Sequence, residues 1–116
     1  MDLSVTTRPG RGCLIVQAGG DLDLATAADV RQHLQQAVDD GMRVVVLDLA
    51  GVRLIDSTAL GMIVWLYKQL LDRDGRVYVA APRPMVRSLL SLTSVDRLIR
   101  VCEDVQAAEA DLAAEA

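Results

Sequence analysis

Arg43-Val44-Val45-Val46-Leu47-Asp48-Leu49 is followed closely by Leu54-Ile55-Asp56-Ser57-Thr58-Ala59-Leu60-Gly61, and this junction decides the reading of the chain. The first run is continuous, apolar and rich in β-branched valine. Without alternation, such a run reads as a strand buried on both faces, which is the habit of a parallel sheet. Residues 51–55 read as a loop or a second short extended piece. Asp56, Ser57 and Thr58 can each cap a helix, and an apolar helix of residues 58–72 follows them. A strand buried on both faces that feeds a helix is half of a βαβ unit.

Outward from this junction the same grammar continues. Asp74-Gly75 is a turn, and residues 76–80 form a strand in which Val77 and Val79 alternate with Arg76 and Tyr78. Pro82 and Pro84 open another helix, because proline is tolerated in a first turn. Val86, Leu89, Leu90 and Leu92 are its expected buried face. Residues 98–102 read as a last short strand. An Ala/Glu-rich helix spanning about 104–116 closes the chain and frays at its end.

Toward the start, residues 1–7 and 13–18 read as strands joined by the breakers Pro9, Gly10 and Gly12, hence a hairpin. Gly19-Gly20 is expected to end the second strand. Thr26 is the expected N-cap of a helix that buries Ala27, Val30, Leu34, Ala37 and Val38, runs to about Asp40, and stops at Gly41. The prediction is therefore a single α/β domain over residues 1–116. It has a mostly parallel mixed sheet, an N-terminal hairpin and about four helices.

Bulk properties exclude several function classes. The chain has 116 residues, a net charge of −4, 52% hydrophobic and 24% charged residues. These values describe one ordinary globular domain and argue against a nucleic-acid binder, which needs clustered Lys and Arg. No signal peptide is visible. The longest apolar stretch, residues 59–67, is far short of the roughly 20 residues of a membrane span. Cytoplasmic localisation without membrane contact is expected. Cys13 and Cys102 lie in separate apolar runs and read as buried thiols. One histidine and no CxxC leave a metal almost nothing to bind, so neither metal nor cofactor is expected. No G-x-S-x-G elbow and no Walker loop is present, and His33 has no pairing cue, so an enzyme is not expected. Arg83, Arg87, Arg97 and Arg100 read as a solvated face.

Chemistry concentrates at Asp56-Ser57-Thr58. With Asp56 as N-cap, the Ser57 hydroxyl points outward. A phosphate there would meet free N–H groups and the positive helix end. It would add about −1.5 to −2 charge. Spacing alone favours an ordinary polar helix start. Asp21 and Asp23 lie at the end of the second strand, where they order a loop or repel a phosphate. A Met62/Trp65 patch beside Ser57 would anchor a partner if exposed, and burial against a neighbouring helix is the other reading.

The whole chain resembles a STAS domain of the anti-sigma factor antagonist family. The residues that carry the resemblance are Gly20-Asp21-Leu22-Asp23 with Thr26-Ala27, Val46-Leu47-Asp48-Leu49, Ile55-Asp56-Ser57-Thr58-Ala59-Leu60-Gly61, and Tyr67-Lys68. It departs at Ala59, where the family often has Gly, and at Asp21, where Glu is commoner. The resemblance implies that an anti-sigma factor serine kinase phosphorylates Ser57 and that a serine phosphatase resets it. The unmodified protein would bind the kinase and free a sigma factor. Asp56, Asp23 and Asp21 would be supporting acids and Thr58 a secondary acceptor. A STAS scaffold in a larger signalling or transport assembly, without a phosphate cycle, is the alternative.

Overall fold

The computed structural model describes residues 3–115. Five strands form one sheet in the order β1-β2-β3-β4-β5. They are β1 (Ser4–Pro9), β2 (Leu14–Leu22), β3 (Val44–Ile55), β4 (Arg76–Ala80) and β5 (Arg100–Cys102). The helices are α1 (Ala27–Asp39), α2 (Ser57–Leu71), α3 (Pro84–Leu92) and α4 (Val105–Ala114). β1 runs antiparallel to β2, and every other pair is parallel. This is the predicted mixed sheet with its opening hairpin. Met1, Asp2 and Ala116, which the sequence reading placed in the first strand and the last helix, lie outside the described residues.

Because β2 to β5 are adjacent in chain order, each crossover steps the same way across the sheet. Right-handed crossovers then stack α1, α2 and α3 on one face. Val16, Leu47 and Val79 of the sheet pack there with Val30 and Leu34 of α1, Ile63 and Leu66 of α2, and Val86 and Leu90 of α3. On the other face α4 lays Val105 and Ala108 over Ile15, Val46, Tyr78 and Cys102. Adjacent Val45 and Val46 therefore enter different cores, as an unalternating valine run requires.

Two boundaries differ from the sequence reading, for one reason. β2 does not stop at Gly19-Gly20, and residues 51–55, read as a loop or a second short extended piece, are extended but continue β3 without a break. β2 and β3 stay paired to their ends, with Gly19 opposite Gly51 and Leu22 opposite Ile55, across register shifts after Gln17 and Gly20. The facing glycines permit this approach. A Cβ on Gly51 would lie 3.2 Å from the Cα of Gly19. Glycine here marks close backbone contact inside a strand instead of its end.

At α1, Thr26 occupies the N-cap position, but its side chain caps nothing. Its hydroxyl donates to the carbonyl of Asp21 at 2.6 Å and accepts from the amide of Asp23 at 3.0 Å. The Asp23 carboxylate takes the amides of Ala25 and Thr26 instead. Gly41 ends α1 with φ +85°, as the C-terminal position needs. At α3, Val86 and Leu90 are buried, whereas Leu92 is 81% exposed and does not belong to the buried face. β5 is shorter than predicted because residues 95–97 form a 3-10 turn.

α2 begins at Ser57, one residue earlier than predicted, with Asp56 as N-cap. One Asp56 carboxylate oxygen accepts the amide of Ala59 and the other the amide of Leu24, each at 3.0 Å. This side chain thus fixes the start of α2 and ties the β2–α1 loop to it.

Cys13 and Cys102 are buried and unlinked, as predicted. Burial pushes both thiols above their ordinary pKa, assisted by Glu109 near Cys13 and Asp111 near Cys102. Little thiolate forms at neutral pH, so iodoacetamide is expected to label either cysteine only after denaturation, read by mass spectrometry. Leu66, fully buried, should cost about 2–5 kcal/mol on Leu66→Ala in urea unfolding. Asp56→Ala should cost about 1–2 kcal/mol in the same assay, with Asp56→Asn recovering most of it.

Candidate functional site at the start of α2

The carboxyl ends of β2 and β3 lie side by side, because Leu22 pairs with Ile55. Each strand passes there into a loop that begins a helix. The amide of Asp56 donates to the carbonyl of Leu22 at 3.2 Å, and the Asp56–Leu24 bond closes the pair. The end of β2 with Asp21 and the loop with Asp23 are thereby brought against the start of α2, as expected of functional loops in this kind of sheet.

The five polar residues divide the work. Asp56 commits both oxygens to main-chain amides. Asp23 caps its own loop. Asp21 pairs with Arg53 at 3.3 Å. Asp56 and Asp23 therefore order the start of α2 and the β2–α1 loop, one of the roles the sequence allowed for Asp23, while Asp21 links β2 to β3. Ser57 and Thr58 are exposed on the first turn of α2. Neither hydroxyl is held by another group among the described residues. The Ala59 amide is taken by Asp56, while the amides of Ser57 and Thr58 precede the first intrahelical bond, Leu60 N–H to Asp56 C=O. They are open donors at the positive end of a 15-residue helix that has no acid in its first turn. An added anion at Ser57 meets favourable partners there.

The Met62/Trp65 patch resolves unequally. Met62 is 6% exposed and belongs to the core, so it is not an exposed anchor. It forms the floor of a cavity of about 200 Å³ between α1 and α2, whose walls include Ala27, Arg31, Thr58 and Gly61. Trp65 is half-buried, and the Arg31 guanidinium lies over its ring, 4.3 Å from the centroid. Thr58 faces this groove together with Arg31.

Sequence reasoning missed Leu24 and Arg31. Leu24 is 75% exposed, and its amide donates to Asp56, the neighbour of Ser57. Leu54, at 43% exposure, adds apolar surface on the neighbouring strand end. Nothing local predicts Arg31 over Trp65, since the pair joins two helices. His33 lies on the exposed face of α1, where Nδ1 contacts the Asp29 carbonyl at 2.9 Å. Among the described residues no cluster of three His, Cys, Asp or Glu side chains could hold a metal ion. No helix among them is long and apolar enough to cross a membrane.

Comparison with known proteins agrees with this architecture. Residues 4–108 match the model of the STAS domain. The chain is 29% identical over 105 residues to the anti-sigma F factor antagonist of Paenibacillus polymyxa, covering 90% of each chain. The crystal structure of an anti-sigma factor antagonist from Mycobacterium paratuberculosis superposes with a TM-score of 0.83 at 24% identity, over 90% of this chain and 89% of that one. The Bacillus cell fate determinant SpoIIAA in its phosphorylated form gives a TM-score of 0.72 at 16% identity, over 91% of this chain and 97% of that one. With the family model spanning all five strands and the first turn of α4, this chain belongs to the STAS domain family.

Proposed function

We propose that this protein is an anti-sigma factor antagonist switched by phosphorylation of Ser57. The observation that carries the reading is a division of labour at one helix start. Asp56 does the capping, which leaves the adjacent Ser57 hydroxyl exposed and uncommitted. The protein does no chemistry of its own at this site. It is the substrate of a partner, an anti-sigma factor that is also a serine kinase, and a serine phosphatase returns it to the binding form. It works in the cytoplasm. Thr58, on the groove side of the same turn, is a secondary acceptor.

The physical basis of the switch is local. Unmodified Ser57 sits among exposed apolar surface from Leu24 and Leu54, which a partner can cover. A phosphate adds about −1.5 to −2 charge and must keep its water or find cations. Desolvating it against an apolar or acidic partner surface is unfavourable, so affinity falls. The helix end tolerates the charge, so the fold is retained and only the surface changes. The relative named an anti-sigma F factor antagonist and the phosphorylated fold neighbour both support this direction.

The test is a pull-down from the native cell extract with wild-type, Ser57→Ala and Ser57→Asp baits. A serine-kinase-like protein should be retained by the first two and weakened at least about tenfold by the third. Equal retention of the same proteins by all three baits would instead favour a STAS scaffold without a phosphate cycle. Leu24→Asp should weaken capture of the same partner without lowering the unfolding midpoint, because Leu24 is exposed and contributes its backbone to Asp56.

A further inference from the structure

A cavity lies far from Ser57, at the opposite end of the sheet. β5 begins only at Arg100, which pairs with Tyr78, so Arg76 and Val77 of β4 pair with β3 on one side and have no β5 residue on the other. The gap opens a notch of about 540 Å³ between the end of α2, the lower edge of β4 and the 95–99 segment. That volume lies in the usual range for small-molecule sites, roughly 300–1,000 Å³.

Three features of the notch point to an anion. The first is charge. Arg76, Arg87, Arg97 and Arg100 line it, against the carboxylates of Asp96 and Glu115. The second is an internal occupant. Glu115 reaches in from the end of α4 to pair with Arg76, and its other oxygen lies 3.9 Å from Arg100. A carboxylate therefore already marks where an oxyanion sits. Arg100 is steadied by Asp111 at 3.5 Å. The third is Tyr78, a lining residue only 2% exposed whose buried hydroxyl has no hydrogen-bond partner. Burying a phenol hydroxyl unpaired is unfavourable, and a ligand oxygen would relieve it.

The other wall is apolar. Leu71 and Leu98 are 54% and 51% exposed, and Tyr67 stands beside them in the lining. Exposed leucines next to guanidiniums suit a ligand with two chemically different ends.

We propose that this notch binds a small amphipathic oxyanion, an organic phosphate or carboxylate with an apolar body. Its head displaces Glu115 from Arg76 and Arg100 and accepts from Tyr78, while its body covers Leu71 and Leu98. The site is independent of Ser57 and does not rest on the phosphorylation reading.

The test is titration of the whole chain with phenyl phosphate and separately with benzoate, at fixed ionic strength, by amide NMR and calorimetry. Saturable shifts are expected at Arg76, Tyr78 and residues 97–100 with at least one probe, and the better probe identifies the head group. Inorganic phosphate should bind more weakly, because it leaves the leucines uncovered. Glu115→Gln should tighten binding several-fold, and the Arg97→Ala/Arg100→Ala double variant should weaken it about tenfold or more. Tyr78→Phe should bind less well yet unfold no earlier than wild type, since it removes an unsatisfied hydroxyl. Shifts that never saturate, or that persist unchanged in the double arginine variant, would overturn the proposal. So would failure of both probes to bind the Glu115→Gln variant.

Discussion

The parallel pairing of β2 with β3 along their full length is the constraint on which the rest of the molecule depends. It runs from Leu14 beside Val45 to Leu22 beside Ile55. Had β2 ended at its glycines, the β2–α1 loop would leave the sheet some residues short of the start of α2. Because the glycines face each other, the two backbones stay close through Gly19 and Gly51. Both strands then finish at the same level. A parallel sheet gathers its carboxyl ends on one side, and here that side carries Asp21, Asp23, Asp56 and Ser57.

The site that results separates the capping duty from the exposed hydroxyl beside it. A serine that capped its own helix would have its hydroxyl oxygen engaged, and modifying it would remove the cap. Asp56 performs that duty, with a second bond to Leu24 that holds the neighbouring loop. The same helix end then supplies open N–H groups beside Ser57. A charge added at this point is compatible with the fold and conspicuous to a partner. Two further acids contribute by holding shape: Asp23 holds the β2–α1 loop through Ala25 and Thr26, and Asp21 of β2 pairs with Arg53 of β3.

What the sequence made legible was local or periodic. The valine run, the Asp56 cap, the Gly41 stop and the order of elements follow from residue type and spacing, and each stands in the structure. What it hid was tertiary. Glycine punctuates loops far more often than it lets two strands touch, so Gly19-Gly20 read as an end. Leu92 follows the helical period of α3 but falls at its last position, beyond the reach of the sheet, and is left in solvent. Trp65 and Met62 looked like one patch in the sequence. The α1–α2 packing splits them, sinking Met62 and leaving Trp65 half-covered by Arg31. At the site, the capping role of Asp56 and the exposure of Ser57 beside it were legible from residue type. Leu24 was not, since an exposed leucine is identified only once its surroundings are known.

α2 joins the two ends of the molecule, with Ser57 at its first position and Leu71, on the wall of the β4–β5 notch, at its last. Fifteen residues at 1.5 Å per residue span about 22 Å. Coupling across that distance would need the helix to have two discrete positions. Its inward face argues against them. Ala59, Ile63, Leu66 and Leu70 are all fully buried against the sheet. Sliding the helix by any useful amount would unpack every one of these close-packed contacts together. A charge at Ser57 therefore acts on the surface around it and leaves the notch unchanged. Any response of the protein to an anion in the notch reaches a partner through that end of the molecule, separately from the serine.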